Sequence, residues 1–108
     1  MKKIKDHYFH KAKREGYVAR SAYKLEEIDK KQRLLRNGNL VLDLGCSPGS
    51  WLQYASRKVG EKGQVLGVDL QTVNLSLPKN VRVLEADIFD LCANDLEMNG
   101  GMVDVILS

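Results

Sequence analysis

The chain has 108 residues, 44% of them hydrophobic and 29% charged, with 17 Lys+Arg against 14 Asp+Glu for a net charge of +3. A chain of this length buries roughly 60–70% of its unfolded surface, enough for one core, and its apolar residues come in organised runs, which excludes intrinsic disorder. Those runs are only a few residues long and Met1 to His7 has no apolar centre, so neither a membrane-spanning helix nor a signal peptide is expected.

The charge is unevenly distributed. Residues 1–36 carry twelve bases and five acids, or +7, whereas residues 37–108 sum to −4. A basic arm on an acidic body is an electrostatic footprint for nucleic-acid contact, although a solvated helical face accounts for the charge equally well. Residues 5–36 read as helical, with Ser21 as an N-cap and Leu25, Ile28, Gln32 and Leu35 along one stripe; Asn37-Gly38-Asn39 supplies the stop. Leu40 to Leu44 is a short apolar run closing on Gly45, as expected of a strand buried on both faces. Ser50 to Val59 has helical spacing, Gln64 to Val68 is a second strand ending at Asp69, and Val81 to Glu85 is a third. Asp90 to Met98 reads as a helix stopped by Gly100-Gly101, and Met102 to Leu107 as a fourth strand. Strands alternating with helices predict an α/β, doubly wound parallel sheet preceded by basic N-terminal helices. The organisation expected is a basic helical segment over 1–38 and a sheet domain over 39–108. The fourth strand runs into Ser108 with no later strand to pair with, so the expectation is the first half of a larger sheet. Cys46 and Cys92 lie in unrelated contexts without metal-ligand or redox spacing; they read as reduced thiols in a cytoplasmic protein, and no motif asks for a metal.

Chemistry concentrates at strand ends. Asp43-Leu44-Gly45-Cys46-Ser47-Pro48-Gly49-Ser50-Trp51 joins the first strand to its helix. Its glycines allow a sharp turn and close approach of a ligand, and the helix beyond offers unpaired N–H groups. The dinucleotide fingerprint Gly-x-Gly-x-x-Gly is broken by Ser47 and Ser50, which disfavours a nicotinamide-dependent oxidoreductase, and no P-loop Lys-Ser/Thr pair follows. Asp69 suits ribose hydroxyls. Asp87 suits an adenine amine, with Ile88 as an apolar wall. An adenosine with an amino-acid tail and no pyrophosphate describes S-adenosylmethionine better than NAD. Lys24 sits beside the apolar stripe, where partial desolvation would lower its pKa; a snorkelling stem that covers the core is the reading spacing alone favours.

Tyr17 to Ile28, Val41 to Trp51 and Gly67-Val68-Asp69-Leu70 together closely resemble the FtsJ-like (RrmJ-type) ribosomal RNA 2′-O-methyltransferases, in order and over nearly the whole chain. The resemblance implies a Rossmann-like class I fold and S-adenosyl-L-methionine as cofactor, held by Gly49, Trp51, Asp69 and Asp87, to which the residue-level reading adds Gly45 and Ile88 as expected cofactor contacts. It places Lys24 on the first lysine of the family's Lys-Asp-Lys-Glu catalytic tetrad. Cys46 and Ser47 replace the family's usual alanines, a small-for-small change. Val105-Ile106-Leu107-Ser108 matches the start of the family's Leu-Ser-Asp-x-Ala-Pro motif and stops one residue short of its Asp. The 108-residue chain alone is therefore expected to lack turnover.

The implied function is 2′-O-methylation of RNA, with a uridine of large-subunit (23S) ribosomal RNA as first expectation. Lys11, Lys13, Arg14 and Arg20 would engage RNA phosphates. The alternatives are a tRNA or cap 2′-O-methyltransferase, or a catalytically incomplete module that binds RNA and cofactor.

Overall fold

The computed structural model describes residues 2–98 and 101–108. Helices α1 (Lys2–Glu15) and α2 (Ala22–Gln32) precede strand β1 (Leu40–Leu44), followed by α3 (Ser50–Val59), β2 (Gln64–Asp69), β3 (Val81–Glu85) and β4 (Val105–Leu107). The strands form one sheet of order β3-β2-β1-β4, with every neighbouring pair parallel. Val41 pairs with Val65 and Val105, and Asp43 with Gly67 and Leu107, so the carboxyl ends of all the strands point the same way. The expected parallel α/β sheet is therefore present.

Side chains alternate across this sheet, and each face has its own core. On one face Val41 and Val65 pack with Leu25 of α2 and with Leu52, Ala55 and Val59 of α3. On the other, Leu42, Leu66 and Val68 pack with Met98, Leu91, Leu96 and Val103. Both faces are covered, which is why β1 and β2 read as largely apolar runs rather than alternating ones, with Asp43 the exception inside β1. Within β2, Gly67 faces α3 at close range. A Cβ there would lie 2.7 Å from Leu52 Cδ2 and 2.8 Å from Cys46 Sγ, so any larger residue would force these side chains to shift.

Four local expectations are corrected. The N-terminal helix is not continuous: it breaks after Glu15 at Gly16, whose φ of 81° takes the chain out of the helix. The second helix ends at Gln32, before Asn37-Gly38-Asn39, because Arg33 turns left-handed and the buried carboxylate of Asp29 accepts the Leu35 N–H at 2.8 Å. Gln32 is consequently exposed, and the buried face of α2 runs through Ala22, Leu25 and Asp29. The expected helix over 90–98 is replaced by two 3₁₀ turns, Ile88–Asp90 and Ala93–Leu96. Asp87 accepts from Phe89 N and Asp95 from Cys92 N, so side chains take the N–H groups that would have begun a helix. The stop expected at Gly100 lies outside the described residues. The fourth strand starts at Val105 rather than Met102. Asp104 closes its start, donating its N–H to Leu40 O at 2.7 Å and accepting the Leu40 N–H on its carboxylate at 2.8 Å.

Candidate functional site

The turn between β1 and α3 folds back over the end of β2. Gly45 N and Cys46 N both donate to Val68 O, at 2.7 and 3.2 Å. Gly45 has φ 76° and nothing within 4 Å of where a Cβ would stand, so its backbone borders open space. Gly49 has φ 119° and starts α3. Asp69 ties this turn to the next: its carboxylate accepts from Ser47 N at 2.8 Å and from Gln71 N at 2.7 Å. Each oxygen thus accepts one N–H, and a carboxylate has about four acceptor sites, so capacity remains for further donors.

Two clefts meet at Leu44 and Gly45. The first, about 340 Å³, is lined by Val68, Asp69, Asp87, Ile88 and Phe89 among others. Asp87 spends one oxygen on Phe89 N, and Ile88 is exposed as an apolar wall. The second, about 230 Å³, is lined by Lys24, Asp43, Cys46, Ser47 and Trp51 among others. The structure thus brings Gly45, Asp69, Asp87 and Ile88 to one cleft, and Gly45, Trp51 and Lys24 to its neighbour.

Lys24 itself is exposed, which agrees with the reading that spacing alone favoured over partial desolvation. What fixes its helix is a clamp the sequence did not announce. Ser21, the N-cap of α2, makes no capping bond; its hydroxyl lies 2.6 Å from that of Ser50, and its carbonyl accepts the Trp51 indole N–H at 2.9 Å. The first turns of α2 and α3 are thereby pinned together beside the glycine turn. Trp51 has a positioning job in addition to lining the cleft.

Asp43 is the residue that sequence reasoning passed over. It is 2% exposed, and its Oδ2 has no hydrogen-bond partner among the described residues. Burial first, then the charge of Asp69, pushes its carboxyl up to about 7. The signal was legible: it is the lone acid in Leu40-Val41-Leu42-Asp43-Leu44. A buried acid without a partner destabilises the fold unless something cationic or hydrogen-donating meets it. The neighbouring Cys46 thiol is pushed up to about 12, mainly by burial and then by the charges of Asp43 and Asp69.

Among the basic residues expected to meet RNA, Arg20 lines a third cleft, together with Lys5 and Lys24. Lys11 Nζ sits 4.7 Å from the centre of the Tyr23 ring and Lys13 Nζ 4.8 Å from that of Phe9, while Arg14 is exposed. Lys5 was not singled out by sequence reasoning. Among the described residues, no group of three or more His, Cys, Asp or Glu side chains converges to hold a metal, and no helix is long and apolar enough to cross a membrane.

Comparison with known proteins agrees with this geometry. The FtsJ-like methyltransferase family profile matches residues 17–108. The ribosomal RNA large subunit methyltransferase E of Bdellovibrio bacteriovorus is 52% identical over 107 residues, covering 96% of this chain and 54% of that protein. The chain spans about half the length of the curated relatives it matches. Among solved structures, one described as a ribosomal RNA methyltransferase from Plasmodium falciparum superposes with TM-score 0.60 at 35% identity, over 68% of this chain and 40% of that one. One described as a hemolysin from Lactococcus lactis superposes with TM-score 0.66 at 26% identity, over 77% of this chain and 41% of its own. With a matching profile over most of its length and the turn, strand-end acids and sheet order described above, this chain belongs to the FtsJ-like methyltransferase family.

Proposed function

We propose that this chain forms the methyl-donor half of an S-adenosylmethionine-dependent RNA 2′-O-methyltransferase whose target is a uridine of large-subunit ribosomal RNA. The observation that carries the reading is the meeting of two clefts at Gly45, one rimmed by Asp69 and Asp87, the other by Asp43 and Lys24. Residues 39–108 supply the donor site and residues 1–38 the basic surface for RNA. The names of the similar proteins point to ribosomal RNA, and an RNA target with two uncrosslinked thiols fits the cytoplasm.

The residues present fit such a donor. Asp43, buried with an orphaned oxygen, suits a cationic amine; Gly45 leaves room beside the backbone; Asp69 and Asp87 keep acceptor capacity for ribose and base. Gly49 opens α3, whose first N–H groups suit a carboxylate. When bound, the donor supplies a methyl group made electrophilic by a cationic sulfur. The chain's own task is to align the ribose hydroxyl and manage its proton. A sugar hydroxyl is a poor acid near pH 7, so a positioned amine is needed to orient it or accept that proton. Lys24 is the group at the cleft mouth suited to this, and the Ser21–Ser50–Trp51 clamp holds its helix. Arg20 and the other bases of residues 1–36 would hold phosphates, giving salt-dependent affinity.

The test, made in the whole methyltransferase of which this chain is the donor half, is transfer of a tritiated methyl group to unmodified large ribosomal subunits, with tRNA and capped RNA in parallel, by that enzyme with and without Lys24→Ala. Donor affinity should stay within about twofold while the rate falls about 100-fold or more. An unchanged rate would make Lys24 an ordinary surface lysine and overturn the assignment. Methylation of tRNA or capped RNA in place of ribosomal subunits would overturn the substrate.

A further inference from the structure

The groove between α1 and α2 is a cleft of about 300 Å³ lined by Ile4, Lys5, Tyr8, Arg20, Tyr23 and Lys24 among others. It shares Ser21 and Lys24 with the 230 Å³ cleft beside the glycine turn, so the two are adjoining stretches of one surface. Its volume is at the lower end of small-ligand sites, which suits one flat ring system rather than several.

Its floor is rigid. Tyr23 is buried, donates its hydroxyl to Glu15, and carries the Lys11 ammonium 4.7 Å from its ring centre. Tyr17 meets it edge-on at 5.7 Å, and Tyr8 packs against it at 5.4 Å with a tilt of 36°. Tyr8 is thus held by a fixed neighbour yet remains 38% exposed, and Ile4, one turn earlier on the same helix, is 53% exposed. Two cations flank this apolar surface. Lys5 and Arg20 are both exposed, and neither has a carboxylate partner among the described residues. Glu27, the acid of the groove, already holds Lys31 at 3.4 Å.

An exposed aromatic next to unpaired cations is the arrangement by which single-stranded nucleic acid is bound, the ring taking a base and the cations its phosphates. A solvated helical face would not gather Ile4 and Tyr8 over a buried tyrosine. We infer that this groove is a stacking site for an unpaired base adjacent to the nucleotide presented to Lys24. The inference rests on the RNA reading above and adds that the substrate is held there as single strand, by a base as well as by charge.

The experiment compares binding of two fluorescein-tagged 12-mers by anisotropy, one of oligouridylate and one of abasic ribose-phosphate. The protein should prefer the base-bearing oligomer by about tenfold, the gain expected from one stacked base. Tyr8→Ala should erase that preference and Tyr8→Phe keep it. Lys5→Gln should weaken both oligomers alike and reduce the salt dependence by about one ion. Should Tyr8→Ala lose its helical circular dichroism, Ile4→Ala serves instead and should lower the preference at least threefold. A preference that survives removal of Tyr8 or Ile4 overturns the inference, as does one lost in Tyr8→Phe. An acidic peptide bound by the protein but not by Tyr8→Ala would also overturn it, by giving the groove to a protein partner. Calorimetry with S-adenosylhomocysteine separates this from the methyltransferase reading. Equal affinity in wild type and Tyr8→Ala is expected, and failure to bind in wild type defeats that reading alone.

Discussion

Replacing Asp43 by Asn tests the electrostatics of the proposed donor site. The carboxyl is 2% exposed, one oxygen is unpartnered among the described residues, and burial with the Asp69 charge raises it from 3.8 to about 7. An acid whose folded pKa lies above its unfolded value binds more protons folded than unfolded between the two, so stability falls as pH rises through that window. Below about pH 4 there is no penalty; above pH 7 the ionised group weighs against the fold by ~4 kcal/mol. Asn keeps the shape and cannot ionise. The unfolding free energy of Asp43→Asn minus that of wild type should therefore grow by ~2–3 kcal/mol between pH 5 and pH 8. Urea denaturation followed by circular dichroism at four pH values in that range measures it, and other titrations largely cancel in the difference. A difference constant to within ~0.5 kcal/mol would refute the reasoning. The gain in stability should come with weaker binding of S-adenosylhomocysteine, since a group that destabilises the free protein is retained for what it meets.

Three further substitutions or reactions probe the same region. Gly67→Ala places a Cβ 2.7 Å from Leu52 Cδ2 and 2.8 Å from Cys46 Sγ, and should cost ~1–3 kcal/mol in urea unfolding; a change under ~0.5 kcal/mol would mean that α3 moves away freely. Gly45→Ala forces a side chain to φ 76° and should cost ~1 kcal/mol of stability. Because that Cβ enters the open space between the clefts, calorimetry with S-adenosylhomocysteine should show at least tenfold weaker binding, and full affinity would place the donor elsewhere. Thiol labelling at pH 8 should count one reactive cysteine in the native protein and two after denaturation. Cys46 is buried with its thiol pushed up to about 12, whereas Cys92 is exposed. Rapid labelling of both in the native state would contradict the packing of Cys46 under Gly67.

The strands and the glycine turn were legible in the sequence because their causes are local. Leu40 to Leu44 and Gln64 to Asp69 are apolar runs ending at a residue that must turn or carry charge, and a parallel sheet covered on both faces demands that pattern. The Gly45-to-Trp51 turn and the strand-end acids Asp69 and Asp87 followed from the same spacing, and tertiary structure placed the two acids with Gly45 on one cleft and the rest of the turn, through Trp51, on its neighbour. Elsewhere a distant partner decided. The break between α1 and α2 is held by the side-chain amide of Gln53, which accepts the Val18 N–H and donates to Gly16 O, 35 and 37 positions away. The end of α2 depends on Asp29, whose carboxylate serves Leu35 and also accepts the Tyr54 hydroxyl of α3. The segment over 88–98 has acids that capture nearby N–H groups, while Leu91, Leu96 and Met98 spread over the far face of the sheet; local competition and distant burial together defeat the helix.

Residue type and periodicity thus determined the sheet, its turn and the chemistry at its strand ends. The tertiary structure decided that Ser21 clamps Ser50 and Trp51, that Lys24 stands exposed at a cleft mouth, and that Asp43 is buried with an oxygen unpaired among the described residues. The physical reason is range. Strand pattern and turn conformation are properties of neighbouring residues, whereas desolvation and hydrogen bonding between elements exist only once the chain has brought distant residues together.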